Sequence, residues 1–279
     1  MFSQCSRWFF IVMAVVSIQL IVPGGPQEDR PRSITSDDFI KHRPRSKTKR
    51  DPTKPRLYRL ASKPRTTSPG ESSSDILELG LTIWKLQPER SRQLERLAKR
   101  VEADTKFREG DLLRISIESP RDGYLYVIDR DWFTNGSGGE TLLIFPVHGE
   151  DNRLAAGKLI DIPTESEVPF RAAPKSNQTG ELLTIIVTLS PLQLQLSKDP
   201  LPIKSAQLLD WEKKWNAMSD RYEMRDGAGQ TRTIAEQQAA VPWSARQLTR
   251  DDPGPQTIYR LSPKNNDGLL FNVMLSYIR

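Results

Sequence analysis

The chain has 279 residues, enough for one or two domains with a sizeable buried core; 27% are charged and the formal net charge is +6. One cysteine, Cys5, and two histidines, His42 and His148, exclude a disulfide framework and a zinc site of the usual Cys/His kind.

Met1 to Arg7 is a short basic segment, and Trp8 to Val22 is an almost unbroken apolar run of about fifteen residues, the layout of a secretory signal. A membrane-spanning helix needs about twenty residues, so a cleaved signal peptide over 1–24 is expected, with Val22 and Gly24 at the third and first positions before the cut. An uncut signal anchor is the alternative. Cys5 precedes the apolar run, so no lipid anchor is indicated, and a processed chain holds no cysteine. That composition suits an exported protein, periplasmic, envelope-associated or extracellular, that is stabilised by burial alone.

Residues 25–74 read as a basic, proline-rich linker. Between Pro26 and Gly70 there are 13 Lys/Arg against 5 Asp/Glu, while Glu71 to Arg279 carries 27 positive and 30 negative residues, so the positive charge of the chain belongs to this span. A proline-broken, aromatic-poor stretch buries too little apolar surface to offset the entropy of ordering it, and disorder is expected. A solvated spacer is one reading; an electrostatic contact with anionic lipid or cell-wall polymer is the other. Export argues against nucleic acid as the partner.

From Asp75 the composition is globular. Leu77, Leu79, Leu81 and Ile83 alternate with Glu78, Gly80 and Thr82 as a first strand, with Trp84 packed at its end. Leu94, Leu97, Ala98 and Val101 have helical spacing, which predicts a short amphipathic helix over 88–102. Leu113, Ile115 and Ile117 alternate with Arg114, Ser116 and Glu118, the period of a strand with one buried face. After an Asp122-Gly123 turn, Tyr124 to Ile128 is apolar on both faces and belongs in the middle of a sheet. Asn135-Gly136 and Gly138-Gly139 reverse the chain before Leu142 to Phe145, so a β meander is expected. Glu181 to Leu192 closes this part, and Pro200 and Pro202 mark a break from the sheet. Leu208, Trp211, Trp215, Met218 and Tyr222 predict an amphipathic helix over 205–222 whose stripe packs on a sheet. Residues 225–252 read as a long loop with at most one helical turn. Thr257 to Leu261 and Leu269 to Ile278 flank Asn265-Asn266-Asp267-Gly268 and predict a closing hairpin, with Leu269, Phe271, Val273, Leu275 and Tyr277 facing inward.

Phe107, Gly110 and Asp111 stand before the strand ending Glu118-Ser119; then come Gly123 to Ile128, Leu143 to Pro146, Asn152-Arg153, Ala156-Gly157 and Ile162-Pro163. In this order they resemble the bacterial domain-of-unknown-function family numbered 4384, over roughly Leu79 to Leu192. The resemblance implies an exported protein and association with partner domains, caspase-like peptidases among them. It implies no activity and no catalytic residues.

The residues supply few candidates for chemistry. His148 sits in a Pro/Gly/Asp-rich loop with no serine in a recognisable nucleophile turn, which argues against a Ser/His/Asp triad. Asp129, Asp131, Asn135 and Glu140 fall at positions one, three, seven and twelve of a stretch similar to a calcium loop, but Phe133 and Thr134 occupy the fifth-ligand and glycine positions. A polar hairpin loop accounts for them better. Glu140, Glu150 and Asp151 are carboxylates in loops, the raw material of a glycosidase pair with no separation fixed. Tyr124, Tyr126 and Trp132, beside Asp129 and Asp131, are the candidate ligand-binding residues, as an aromatic platform for a sugar or peptide; burial of the tyrosines in a central strand is the competing reading.

The expectation is therefore a mainly β protein: one β-sandwich-like domain over 75–279 with one or two packed helices, preceded by a disordered linker. Its expected role is a non-catalytic binding or interaction module at the cell envelope, without cofactor or metal, whose partner is a protein or an envelope polymer. The alternatives are a carboxylate-dependent hydrolase and a tethered binder of anionic surfaces.

Overall fold

Two twisted sheets face each other across one apolar interior. The computed structural model describes residues 37–46, 77–86, 98–164, 167–242 and 244–278. The first sheet runs β12 (Met218–Glu223), β13 (Thr257–Ser262), β1 (Leu77–Leu86), β4 (Leu112–Glu118), β8 (Leu159–Ile162), with β2 (Lys99–Val101) on β1 and β9 (Phe170–Arg171) on β4. The second runs β11 (Leu201–Pro202), β6 (Gly138–Phe145), β5 (Gly123–Phe133), β10 (Gln178–Thr188), β14 (Gly268–Tyr277), β3 (Lys106–Phe107), with β7 (Arg153–Leu154) on β5. Two helices, α2 (Ser205–Trp215) and α3 (Ile234–Ala240), and a single turn, α1 (Asp37–Ile40), complete the described elements. The protein is mainly β, a sandwich with packed helices, as its alternating strands predict.

Period-two patterning fills the interior. Leu79, Leu81 and Ile83 from β1, Ile115 and Ile117 from β4, Leu125 and Val127 from β5, Leu183 and Ile185 from β10, and Phe271, Val273 and Leu275 from β14 form one cluster. Each such side chain, taken fully out of water, stabilises the fold by roughly 1.5–3 kcal/mol. The last strand is central: β14 pairs with β10 from Gly268 to Ser276 and with β3 in parallel, so all five predicted inward residues are buried.

Several connections differ from the sequence reading, and most for one reason: neighbouring strands in the chain are placed in different sheets. β4 lies in the first sheet and β5 in the second, so only β5 and β6 form the expected hairpin of the meander. Likewise β13 and β14 do not pair; Asn265 and Gly268 make an isolated bridge where the chain crosses the sandwich. The helix predicted over 205–222 ends at Trp215, because Ala217 N donates to Leu270 O and the chain then enters β12 on β13. Its Leu208 and Trp215 are buried as expected, but Met218 is exposed on an edge strand. Within the helix predicted over 88–102, residues 99–101 are strand β2, and 87–97 lie outside the described residues. Leu201-Pro202 does not leave the sheet; it forms the short edge β11, where a missing N–H is tolerated.

The motif residues of the family resemblance serve the scaffold. Gly110 has φ 86° and its N–H donates to Ala172 O, while the Asp111 carboxylate accepts from Arg108 N at 2.9 Å and Lys85 Nζ at 2.7 Å. Asn152 bonds Leu125 through both its backbone O and its side-chain amide, closing the sheet beside Gly123.

One piece of the span read as linker is part of the domain. Residues 37–46 lie on the outer face of the first sheet with Phe39 and Arg43 buried, while the rest of 25–74 and the apolar run of 8–22 lie outside the described residues.

Candidate functional site

The five candidate ligand-binding residues all lie on β5, and strand alternation divides them between two faces. Tyr124 and Tyr126 turn outward toward α2 and the segment after β10. Tyr126 is buried there with Ile128, Ile186, Leu208 and Trp215, and its hydroxyl accepts from Leu192 N at 2.7 Å. Tyr124 is half-buried beside it, and Trp132 carries the Arg130 guanidinium 5.8 Å from its ring centre. The tyrosines therefore support a helix and form no open aromatic platform with Trp132.

Asp129 and Asp131 share the parity of Leu125 and Val127 and lie at the far end of the interior. Asp131 stands opposite Glu181 and accepts from Lys175 Nζ at 2.6 Å and Gln178 Nε2 at 2.9 Å. Burial, with the charges of Glu181 and Asp131 adding, pushes the Asp129 carboxyl up to about 7, and one of its oxygens is buried without a hydrogen-bond partner. Burial also raises Glu181, against the bond it accepts from the Tyr277 hydroxyl. The calcium-like loop nearby is a local turn: Asn135 Oδ1 accepts from Ser137 N at 3.0 Å and Ser137 Oγ at 2.7 Å. Among the described residues no group of three or more His, Cys, Asp or Glu could hold a metal ion.

An open recess lies elsewhere, where the 146–160 segment meets α3 and the chain after it. A groove of about 650 Å³ runs between Tyr124, Leu154, Ala155 and Leu159 on one side and Val241, Pro242 and Arg246 on the other. A second recess of about 530 Å³ continues from it past Asp151, Lys158, Leu159 and Pro242 to His148, Glu150 and Glu167. Cavities of this size suit a small ligand or a few residues of a polymer. Most polar groups of the walls are engaged locally. Asp151 accepts from Arg153 Nε at 2.9 Å and Lys158 Nζ at 3.0 Å, and the Arg153 bond chiefly holds its carboxyl well below the usual range. Glu150 accepts from Val147 N at 2.7 Å, Glu167 from Thr164 N at 2.8 Å, and Arg246 is paired with Asp252 at 3.0 Å. Burial pushes Glu150 up, and the charge of Glu167 adds to that. His148 is exposed at the rim. Neither recess is lined by Asp129, Asp131 or Glu181.

No family model, curated protein or solved structure matches the chain.

The largest feature absent from the sequence reading is a layer of buried charge on the outer face of the first sheet. Arg114, Ser116 and Glu118, expected to face solvent, are all buried: Ser116 and Glu118 lie under 37–46, α3 and the 249–256 segment, and Arg114 donates to the Thr164 and Glu167 carbonyls at 3.3 Å each. Arg43 pairs with Glu118, Arg100 with Glu236, and Arg232 with Asp161 at 2.5 Å. Ser116 Oγ accepts from Trp84 Nε1 at 2.7 Å and donates to Asp161 at 2.5 Å, while Arg100 and Arg232 lie 5.2 and 5.6 Å from the Trp84 ring centre. The space left is about 10 Å³, room for about one water. α3 sits here because Thr233 and Glu236 form a capping box, a Thr-x-x-Glu signal legible in the 225–252 stretch read as a loop.

Proposed function

We propose that the domain is a non-catalytic binding module whose ligand-contacting surface is the two-part groove between 146–160 and 239–247. The observation that carries this reading is the state of the groove's polar groups: carboxylates and cations are held by turns and by each other around a floor of Leu154, Ala155 and Leu159. Such a surface is preorganised to receive a segment of protein or envelope polymer, and its described carboxylates are tied up in turns and ion pairs rather than set against a nucleophile. Export to the cell envelope, and the likeness to the 4384 family carried by its motif residues, fit the same role.

The test is capture from cell-envelope extract by the full chain and by Ala155→Trp, which fills the groove from a half-buried position. Loss of the captured partner in Ala155→Trp at unchanged melting temperature is expected. Equal capture by both proteins refutes the assignment of the groove.

A carboxylate-dependent hydrolase is the second reading, favoured by the raised Asp129 carboxyl near Glu181. Hydrolysis of an envelope polysaccharide or peptide by the full chain, lost in Asp129→Asn, would replace the first reading. In a tethered binder of anionic surfaces Arg43 takes no part, since it is buried against Glu118.

A further inference from the structure

We infer that the pit on the outer face of the first sheet is a peptide-binding site that reads arginine, and that residues 37–46 occupy it as a ligand supplied in cis. Arg43 is 2% exposed and all three guanidinium nitrogens are used. Nε and one terminal nitrogen meet the two Glu118 oxygens at 2.6 Å each, a bidentate fork. The remaining bonds go to backbone carbonyls: Asp252 O at 2.9 Å, Pro253 O at 3.0 Å and Thr249 O at 3.3 Å. A lysine has one point of charge and cannot match this set.

The backbone of the segment is read as well. Arg250 Nε donates to Arg43 O at 3.0 Å, and Arg250 N donates to Pro44 O at 3.2 Å. Glycines shape the walls where the segment lies closest. A Cβ on Gly80 would stand 2.9 Å from the Phe39 ring, and one on Gly157 would stand 3.0 Å from the Pro44 ring. Phe39 and Arg43 are thus two anchors four positions apart, each in its own socket.

The sockets are built by groups outside the segment. The Asp252 carboxylate accepts from Thr249 N at 2.6 Å and from Arg246 at 3.0 Å, which aims the 249–253 carbonyls, and Gln256 N donates to Thr82 Oγ1 at 3.0 Å, which ties that wall to β1. Residues 37–46 join neither sheet, and 47–76 separate them from β1, so their hold is by the inserted Phe39 and Arg43 side chains and the two bonds from Arg250. The ligand class is a Phe-x-x-x-Arg-Pro peptide, and a competing chain that offers it takes the same place.

The experiment measures binding of a fluorescent peptide of residues 37–46 to the full chain. In the native chain the tethered copy competes at an effective concentration of about millimolar. In the Arg43→Ala chain that competitor loses its guanidinium, so the peptide binds at least about tenfold more tightly. The Arg43→Ala peptide binds neither chain, and adding Glu118→Gln to the Arg43→Ala chain abolishes binding. Equal affinity for both chains, or indifference to the peptide's arginine, overturns the inference. Should Arg43→Ala not fold, the native sequence with a protease site between Pro55 and Arg56 gives the answer. After cleavage the N-terminal fragment stays with the domain and exchanges with labelled peptide. A fragment that falls away, or one that never exchanges, overturns the inference equally.

Discussion

The two sheets solve the same problem on their outer faces with opposite chemistry. Outside the second sheet, Tyr126, Ile128, Leu143, Ile186 and Leu270 meet Leu208 and Trp215 of α2, with Ile203 and the leucines at 192, 194 and 196 around them. Outside the first sheet, three arginine–carboxylate pairs and Trp84 lie beneath 37–46, α3 and the 249–256 segment. Apolar contact is non-directional and accepts any partner of similar volume. A buried ion pair gives little net stability over apolar residues of the same shape, but a broken one leaves a charge stranded in a medium that cannot solvate it. The second cover is therefore built for adhesion, and the first selects what lies on it.

The largest effect that distinguishes the two is expected from Asp161→Ala, which strands Arg232 in the interior and costs about 3–5 kcal/mol in urea denaturation. Replacing both partners, Asp161→Leu with Arg232→Met, recovers most of that loss. If the single and double variants are equally destabilised, the face is held by shape and the contrast disappears. On the other face Leu208→Ala costs about 2–4 kcal/mol, while Leu208→Met costs under about 1.5 kcal/mol. Arg232→Lys, conservative in charge, should fall nearer to the deletion than to the native protein, because an ammonium cannot reproduce a planar guanidinium between Asp161 and the Trp84 ring. Tolerance of lysine there would erase the distinction between directional and non-directional cover.

The same contrast governs what could be read in advance. The stripe of Leu208, Trp211 and Trp215 declares its face by helical period, and the interior strands declare theirs by alternation. Arg114, Ser116 and Glu118 alternate just as regularly and predict a solvent face, since period alone does not say whether a polar face is solvated or paired. Their partners, Arg43 for Glu118, Trp84 and Asp161 for Ser116, and the Thr164 and Glu167 carbonyls for Arg114, are remote in sequence, and no local pattern joins Glu118 to a residue 75 positions earlier. Sheet assignment was hidden for a related reason: Asn265 to Gly268 is a good tight turn whether the next strand pairs with the last or crosses to the other sheet. At the candidate site, alternation on β5 puts Tyr124 and Tyr126 on the face opposite Asp129 and Asp131, which their grouping as one site does not allow for. The groove has no signature in the sequence because its two walls, from 146–160 and from α3 and the chain after it, are remote in sequence and meet only where β7, β8 and α3 bring them together.

Asp129 sharpens the comparison from a third position, since it is an acid buried without an arginine. Its folded carboxyl titrates near 7 and its unfolded one near the ordinary 3.8, so the folded chain binds the extra proton between those values. Stability from this group is therefore full below about pH 4 and is lost as pH rises through 7, the reverse of a carboxylate such as Asp151 that its cations hold low. Asparagine has the shape of the protonated acid and cannot ionise, so Asp129→Asn should match the native protein near pH 4. At pH 8 it should exceed it by about 1–2 kcal/mol. That is below the full shift at about 1.4 kcal/mol per pH unit, because Glu181 and Asp131 share the proton's benefit and Lys175 opposes it. Glu118, Glu150 and Glu223, also raised by burial, keep a residual slope in both proteins. Melting temperatures from pH 4 to 8 decide it: parallel curves for the two proteins mean that Asp129 is ionised throughout.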